Sequence, residues 1–512
     1  MILGIDLGTT YSAVAVADDS GRPQVLPNRL GELTTPSCAS FLGPNEVVVG
    51  SMAKERRSID PDNTVSLIKR QMGVDYPLAF HGVNHTPESV SALLLRALVD
   101  DAAAELGALT GDPVRAVITV PAYFGLRERE ATQQAAEMAG IEVLELVAEP
   151  VAAALHYGVA DTSDRTILVY DLGGGTFDCT VLRSASGSVT VLATDGDSHL
   201  GGAEVDERLA DALLERLAEE LPDDAGHPAD DAAMVQEAMS LAEIAKRNLS
   251  GRQSHRVTLR HGGHILRMEV DREMIATVSR DMIERTMTIV ERLVTTVGRA
   301  VHIDDVVLVG GSSRLPAVTE ALATRFGRTP LMTDPELAVA LGAAVRADRL
   351  TRKPVSGGIT AVSTHAVAVL PRGVGVLVRD SNDPAGLREF VQHVVAANTQ
   401  LPATATAPFA TILDKQSSVR IQVFEQAGAL VSEELGHNRR VLDGEFTGLP
   451  DLPAGARVDV TVSVGTDGRL AVTAREVLGG TTLCLEAYVE GVIDAVAAEQ
   501  LSATTSAMVI RQ

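Results

Sequence analysis

Along the first 348 positions, apolar residues alternate between short continuous runs and helical spacings. Residues 116–120 (AVITV) form one run, followed by a helical spacing over 127–138; 167–170 (ILVY) form another, and 306–309 (VVLV) precede a helical spacing over 315–325. This rhythm predicts an α/β domain whose helices cover mainly parallel strands. From about 204 to 299 the spacing is chiefly helical, broken by a β-like patch at 256–270, which predicts an inserted helical subdomain. At 351–358 (TRKPVSGG) a proline and paired glycines among polar residues read as a linker. Beyond it, 419–423 (VRIQV), 458–462 (VDVTV) and 470–472 (LAV) alternate strictly, with TDG at 466–468 as a turn. The C-terminal part is therefore predicted to be mainly β, with room for a short helix at 492–501.

Composition narrows the classes. A chain of 512 residues, 45% apolar and 22% charged, is long enough for several packed domains. The formal charge of −24, from 68 acidic and 44 basic residues, argues against a nucleic-acid partner and gives an anionic membrane no attraction. Cys38, Cys179 and Cys484 match no zinc or redox spacing and read as small buried hydrophobes in reducing surroundings. The first strand follows no basic leader and no apolar run reaches membrane-spanning length, so a cytoplasmic protein is expected.

The chemistry enters at residues 170–179, YDLGGGTFDC, directly after an apolar run. Glycines serve where backbone takes positive φ or approaches another group closely, and Asp171, Thr176 and Asp178 are oxygen donors suited to a hydrated metal. The same letters also suit a plain hairpin turn. The chain begins with a second copy, ILGIDLGTTYS, again an apolar strand running into Asp-Leu-Gly and hydroxyls. Two copies far apart suggest two half-domains gripping one phosphate ligand, with Asp6 and Asp171 holding hydrated Mg²⁺ between them. VGGSSR at 309–314 follows a strand and opens a helix, leaving bare backbone where a base or ribose could lie. Glu243, Lys246, Arg247 and Ser250 share one helical face, which would be an ordinary solvated face without the other motifs. SHLGG at 198–202 adds a glycine pair, and AEPVAAA at 148–154 places a carboxylate at a helix start.

In order, these segments closely resemble the DnaK (heat-shock protein 70) family of ATP-driven chaperones. IDLGTTYS and LVYDLGGGTFD look like its two phosphate motifs, AVITVPAYF and LVAEPVAAALHYG its connecting segments, and LVGGSSRLP its adenosine motif. NTQLPATATAPFATILDKQSSVRIQVFEQ is similar to its β-sandwich peptide-binding domain. The resemblance implies an α/β actin-like (ribonuclease H-like), two-lobed ATPase domain over 1–348, a linker over 349–362, and an all-β sandwich over 363–512 without the family's helical lid. It implies ATP or ADP with Mg²⁺, and K⁺ as a further ion.

By the same resemblance Gly8, Thr9, Thr10 and Tyr11 form the first phosphate loop and Gly173, Gly174 and Gly175 the second, followed by Gly201 and Gly202. Lys69 is implied near the γ-phosphate, with Glu149, Asp171 and Thr176 serving hydrolysis. Glu243, Lys246, Arg247 and Ser250 would clasp adenosine opposite Gly310, Gly311, Ser312, Arg314 and Glu336, the last standing where the family commonly has Asp. Pro121 and Arg129 match its allosteric relay, and Phe409, Ile412, Val419, Ile421 and Val458 match its peptide groove, although such residues also fill any sandwich core. The implied partners are a polypeptide client, a J-domain cochaperone and a nucleotide exchange factor.

Several stretches depart from the pattern. GITAVS at 358–363 is less apolar than the family's linker and lacks its acid; 372–390 carries an apparent insertion; and the stretch from Lys69 to Thr86 is short. These leave room for a nucleotide-dependent scaffold that docks one dedicated partner protein. An actin-like small-molecule kinase and a filament protein fit less well, given the β-domain after the linker.

Overall fold

The computed structural model describes residues 1–108, 112–157, 164–185, 188–222, 226–298, 300–352, 366–380, 383, 385, 387–428, 430–447, 449, 451–466, 468–477, 480, 482–486 and 495–511. Two sheets in the first 309 residues share one wiring. In the first, Ile2–Asp6, Tyr11–Ala17 and Pro23–Leu26 pair antiparallel, and Val114–Val120 then Ile141–Ala148 add in parallel beyond Ile2–Asp6. In the second, Arg165–Leu172, Phe177–Ala185 and Ser188–Asp197 pair antiparallel, and Asp305–Val309 adds in parallel to Arg165–Leu172. Each first strand ends at its aspartate motif and turns through glycine and threonine into the second, so the sequence duplication is a structural one. The architecture is the actin-like α/β form.

The lobes meet where helix Glu149–His156 crosses helix Ala338–Thr351. A Cβ on Gly342 would lie 1.7 Å from the Ala152 carbonyl oxygen, so only glycine permits this backbone approach. Val151, Val169, Val307 and Ala343 share the apolar cluster that joins the lobes. The helical insertion comprises Gly202–Glu220, Ala232–Leu249 and Arg272–Val297, with the expected β patch resolved as the hairpin Ser254–His261 and His264–Asp271.

After it, two four-stranded antiparallel sheets face each other across a core containing Val376, Ile421, Val423, Val458, Val460 and Val472. One sheet runs in the order Glu389–Val395, Val374–Arg379, Val419–Gln426 and Asn438–Phe446; the other is Ala403–Ala410, Arg457–Val464, Leu470–Glu476 and Thr482–Glu486. Within the apparent insertion at 372–390, Val374–Arg379 pairs with the strand that begins at Glu389 in the first sheet. Of the expected groove residues, Ile421 and Val458 are core side chains at 1% and 2% exposure, Phe409 and Val419 pack against that core, and Ile412 is 53% exposed. Alternation explains this: inward positions of facing strands fill the space between sheets. Residues 349–351 of the expected linker continue the preceding helix, whereas 353–362, with GITAVS, lie outside the described residues.

The far C-terminal stretch corrects the expected extent of the sandwich. Instead of a short helix within it, Ala495–Ala507 is a helix packed on Pro87–Leu106 and Leu126–Met138, and Val509–Arg511 joins Glu46–Val49 of the first lobe as a parallel strand. Met508, 2% exposed, belongs to the first lobe's core, which explains the placement: the apolar partner of this segment is there and not between the sandwich sheets.

Candidate functional site: a cleft between two duplicated loops

A cleft of about 1090 Å³, counted to its open mouth, lies between the lobes. It is lined by Asp6, Gly8, Thr9, Thr10, Tyr11, Lys69, Glu149, Asp171, Gly173, Gly174 and Thr176 from the two loops and the connecting segments. Glu243, Lys246, Arg247 and Ser250 line it from the inserted subdomain, and Gly310, Gly311, Ser312 and Glu336 complete the wall.

The glycines are required by contact. A Cβ on Gly174 would fall 1.8 Å from Thr10 Oγ1, and one on Gly175 would fall 2.3 Å from Thr9 Cγ2, so the duplicated loops meet backbone to threonine side chain. A Cβ on Gly201 would meet the Gly174 carbonyl carbon at 2.8 Å, and one on Gly202 would meet Ser312 Oγ at 2.2 Å. Gly310 has φ +81°, and its Cβ would meet Asp171 Oδ1 at 2.5 Å. Gly175, Gly201 and Gly202 thus hold the cleft's shape from behind its surface. Arg314 reaches the wall through its ion pair with Glu336 at 3.5 Å.

The floor is acidic and crowded. Asp6 opens on the cleft but sits deep, and burial followed by the neighbouring Glu149 charge pushes its carboxyl up to about 7. Thr119 donates to Asp6 Oδ1 at 3.1 Å. Asp171 is held well above the usual carboxylate range by burial, then by Glu149 and Asp6, and Asp178 by burial, Glu149 and Asp171. Lys69 answers them: 4% exposed, it donates to Glu149 Oε1 at 2.7 Å. Glu149 begins its helix, where the backbone dipole favours a negative charge.

Such a floor fits a bound cation. Thr10 Oγ1 is buried without a hydrogen-bond partner, the mark of a polar ligand group at that point. Among the described residues no three His, Cys, Asp or Glu side chains converge closely enough to hold a metal by themselves. Asp6 and Asp171 would hold a Mg²⁺ here largely through water.

The opposite wall carries a bridge between subdomains. The Tyr11 hydroxyl donates to Glu243 Oε1 at 2.7 Å; Lys54 Nζ donates to the same oxygen at 2.6 Å and to the Tyr11 hydroxyl at 2.6 Å; Arg247 adds a bond at 2.9 Å. Lys246 turns inward, to Asp206 Oδ2 at 2.6 Å and the Gly202 carbonyl at 2.8 Å. The four-residue helical face thus lines the cleft, with Arg247 also open to solvent at its edge. Sequence reasoning missed Lys54, Asp206 and Arg70, the last donating to the Gly175 carbonyl at 2.8 Å and pairing with Glu204 at 2.6 Å. Asp206 lies one helical turn after the Gly201-Gly202 pair, a signal that could have marked it; Lys54, within SMAKER, carries none.

The Hsp70 protein family model matches residues 2–81 and 77–501. The chain belongs to the Hsp70 family. Members of the Hsp70 family are ATPases. A curated relative named chaperone protein DnaK, from Halobacterium salinarum, is 38% identical over 485 residues, covering 93% of this chain and 73% of its own. Another of that name, from Thermotoga petrophila, is 35% identical over 492 residues, covering 94% of this chain and 79% of its own.

Of the other expected positions, Arg129 lies against the sandwich. Pro121 follows strand Val114–Val120, and the Arg129 guanidinium donates to the Phe124 carbonyl at 3.2 Å, with its Cδ 3.4 Å from where a Gly468 Cβ would stand. Beside them, Glu425 of the sandwich, 0% exposed, accepts the Leu126 N–H at 2.8 Å and so caps helix Leu126–Met138 from another domain. Arg439 pairs with Glu425 at 3.0 Å and also with Glu128, and Arg372 pairs with Glu128 at 3.2 Å. Burial opposes the charge on Glu128, but Arg372 and Arg439 overcome it and hold its carboxyl down to about 2. Among the described residues no helix is long and apolar enough to cross a membrane.

Proposed function

We propose that this chain hydrolyses ATP slowly in a Mg²⁺-dependent reaction and uses the nucleotide state to govern polypeptide binding by its sandwich. The observation that carries the reading is the Lys69–Glu149 pair on a floor of crowded, buried carboxylates beneath two touching glycine-threonine loops. Bound Mg²⁺ would supply charge neutralisation for the phosphates, and K⁺ belongs to the same proposal as a further cation. The chain's own residues do the rest. Thr9 and Thr10 and the backbone of Gly173 and Gly174 hold phosphate oxygens; Lys69 sets charge beside the terminal phosphate; Glu149 and Thr176 orient water. Glu243, Arg247, Ser250, Gly311 and Ser312 enclose the nucleoside. Phosphoryl transfer depends on positioning and neutralised charge more than on a strong base, which suits this set.

Pro121 and Arg129 would carry the nucleotide state to the sandwich, with Glu128 and Leu126 beside them bonded to Arg439 and Glu425 of the sandwich. A J-domain cochaperone and an exchange factor are part of the proposal through the family alone. Binding to a peptide array with and without ATP tests it: tight binding that ATP weakens supports a chaperone cycle. A second reading, a scaffold for one dedicated partner, is favoured by the burial of Ile421 and Val458 in the sandwich core. Peptide binding that ignores ATP, or saturable binding to one protein only, would select it.

A further inference from the structure

We propose that residues 495–511 form an intramolecular strap, and that edge strand Glu46–Val49 of the first lobe is its binding site. The strand reads EVVV, with Val47 and Val48 at 0% and 3% exposure, and pairs on its other side with Cys38–Gly43. Without a partner it would be an apolar sheet edge with open hydrogen-bonding groups, which proteins otherwise blunt or cover. The strap covers it in register, Val509 to Glu46, Ile510 to Val47 and Arg511 to Val48, and the Val509 N–H donates to the Asn45 carbonyl at 2.9 Å. Three features outside the strand pairing fix the same segment. Met508 and Thr505 are buried at 2% and 0%; Arg96 donates to the Thr505 and Met508 carbonyls; and Arg511 pairs with Glu46 at 2.6 Å. A frayed segment would show none of these.

The consequence lies in where the strap attaches. The sandwich begins on the second lobe, where Ala366–Val367 pairs with strand Ser188–Asp197 and Asn398 Oδ1 accepts the Thr194 N–H at 2.9 Å. The strap returns the chain to the first lobe. The sandwich is thus anchored to both lobes, one anchor on each side of the cleft, and cannot swing away on a single tether. It stays seated on the ATPase body in either nucleotide state, with Leu126 in its core cluster and Glu425 capping helix Leu126–Met138. The Hsp70 match ends at residue 501, so strand Val509–Arg511 lies beyond the family pattern.

The test uses the full chain and two variants. Val509→Pro removes the N–H to Asn45, and Arg96→Ala removes both donors to the strap without altering it. Hydrogen exchange over residues 46–49 and 509–511 should rise at least tenfold in each variant. Small-angle scattering with ADP should give the unmodified chain the same compact radius as with ATP, and both variants a larger one with ADP. Unchanged exchange at 46–49 in both variants, or an unmodified chain that expands in ADP as much as they do, overturns the strap. Because the comparison of states rests on the nucleotide reading, ADP affinity is measured on the same samples. Retained affinity with no strap effect refutes the strap alone, whereas absent affinity refutes the nucleotide reading and leaves the exchange result to judge the strap.

Discussion

Lys69 and Glu149, eighty positions apart, join in a 2.7 Å ion pair on the cleft floor, with Lys69 buried to 4% exposure. An isolated charge at that depth is costly, and the pairing offsets that cost on the floor where a phosphate would meet the two side chains. Lys69→Ala should lower ATP turnover by about a hundredfold or more, the scale of losing one preorganised charge, with ATP still bound. It also leaves Glu149 unpaired, at a stability loss of about 3–5 kcal/mol. The double variant Lys69→Met with Glu149→Gln should recover the melting temperature and not the turnover. Single-turnover kinetics beside calorimetric melting separates these effects, and normal turnover in Lys69→Ala would refute the assignment.

The contact between the duplicated loops makes Gly174→Ala a sharp probe. Its methyl would stand 1.8 Å from Thr10 Oγ1, so the loops must separate. We expect nucleotide affinity to fall at least tenfold with little loss of secondary structure. Gly43→Ala, where nothing lies within 4 Å, should change nothing. Equal affinities for both variants would contradict the close approach.

Across the cleft mouth, Lys54 ties Tyr11 to Glu243, with the Lys54 side chain 27% exposed and that of Glu243 12%. An ion pair so placed contributes on the order of 1 kcal/mol. Lys54→Ala should therefore speed nucleotide release a few-fold and leave the hydrolysis step intact. Stopped-flow release of a fluorescent nucleotide measures it, and an unchanged release rate would show that the bridge does not restrain the cleft.

Glu128 predicts a pH dependence for the seating of the sandwich. Its folded-state carboxyl is depressed from 4.5 to about 2, so its contribution is fully present above 4.5 and is lost as pH falls from there toward 2. Relative to the unmodified chain, Glu128→Gln should be less stable by a constant margin between pH 7 and 5, and the margin should narrow below about 4.5. Urea midpoints at pH 7, 5 and 4 read this out; a margin that grows on acidification would contradict it.

The glycine loops were legible because close backbone approach leaves its mark as glycine itself, whichever domain supplies the neighbour. The face of Glu243, Lys246, Arg247 and Ser250 was legible as spacing, and the flanking motifs pointed to the cleft that it lines. The partners were not. Lys54 and Arg70 act through reach across a cleft, and nothing local distinguishes them from solvated cations. The contact of Glu128 with Arg372 and Arg439 joins residues more than 240 positions apart and has no local signature. Strand Val509–Arg511 is too short for any periodicity, and the edge at Glu46–Val49 that receives it lies more than 450 positions away.

The central claim is that one nucleotide seats between the duplicated loops over Asp6 and Asp171. Titration calorimetry of the full chain with ADP, with and without Mg²⁺, tests it most directly. We predict saturable uptake at one site per chain that Mg²⁺ tightens, with the tightening lost in Asp171→Asn. No heat of binding at any Mg²⁺ concentration, or identical Mg²⁺ dependence in Asp171→Asn, would contradict it.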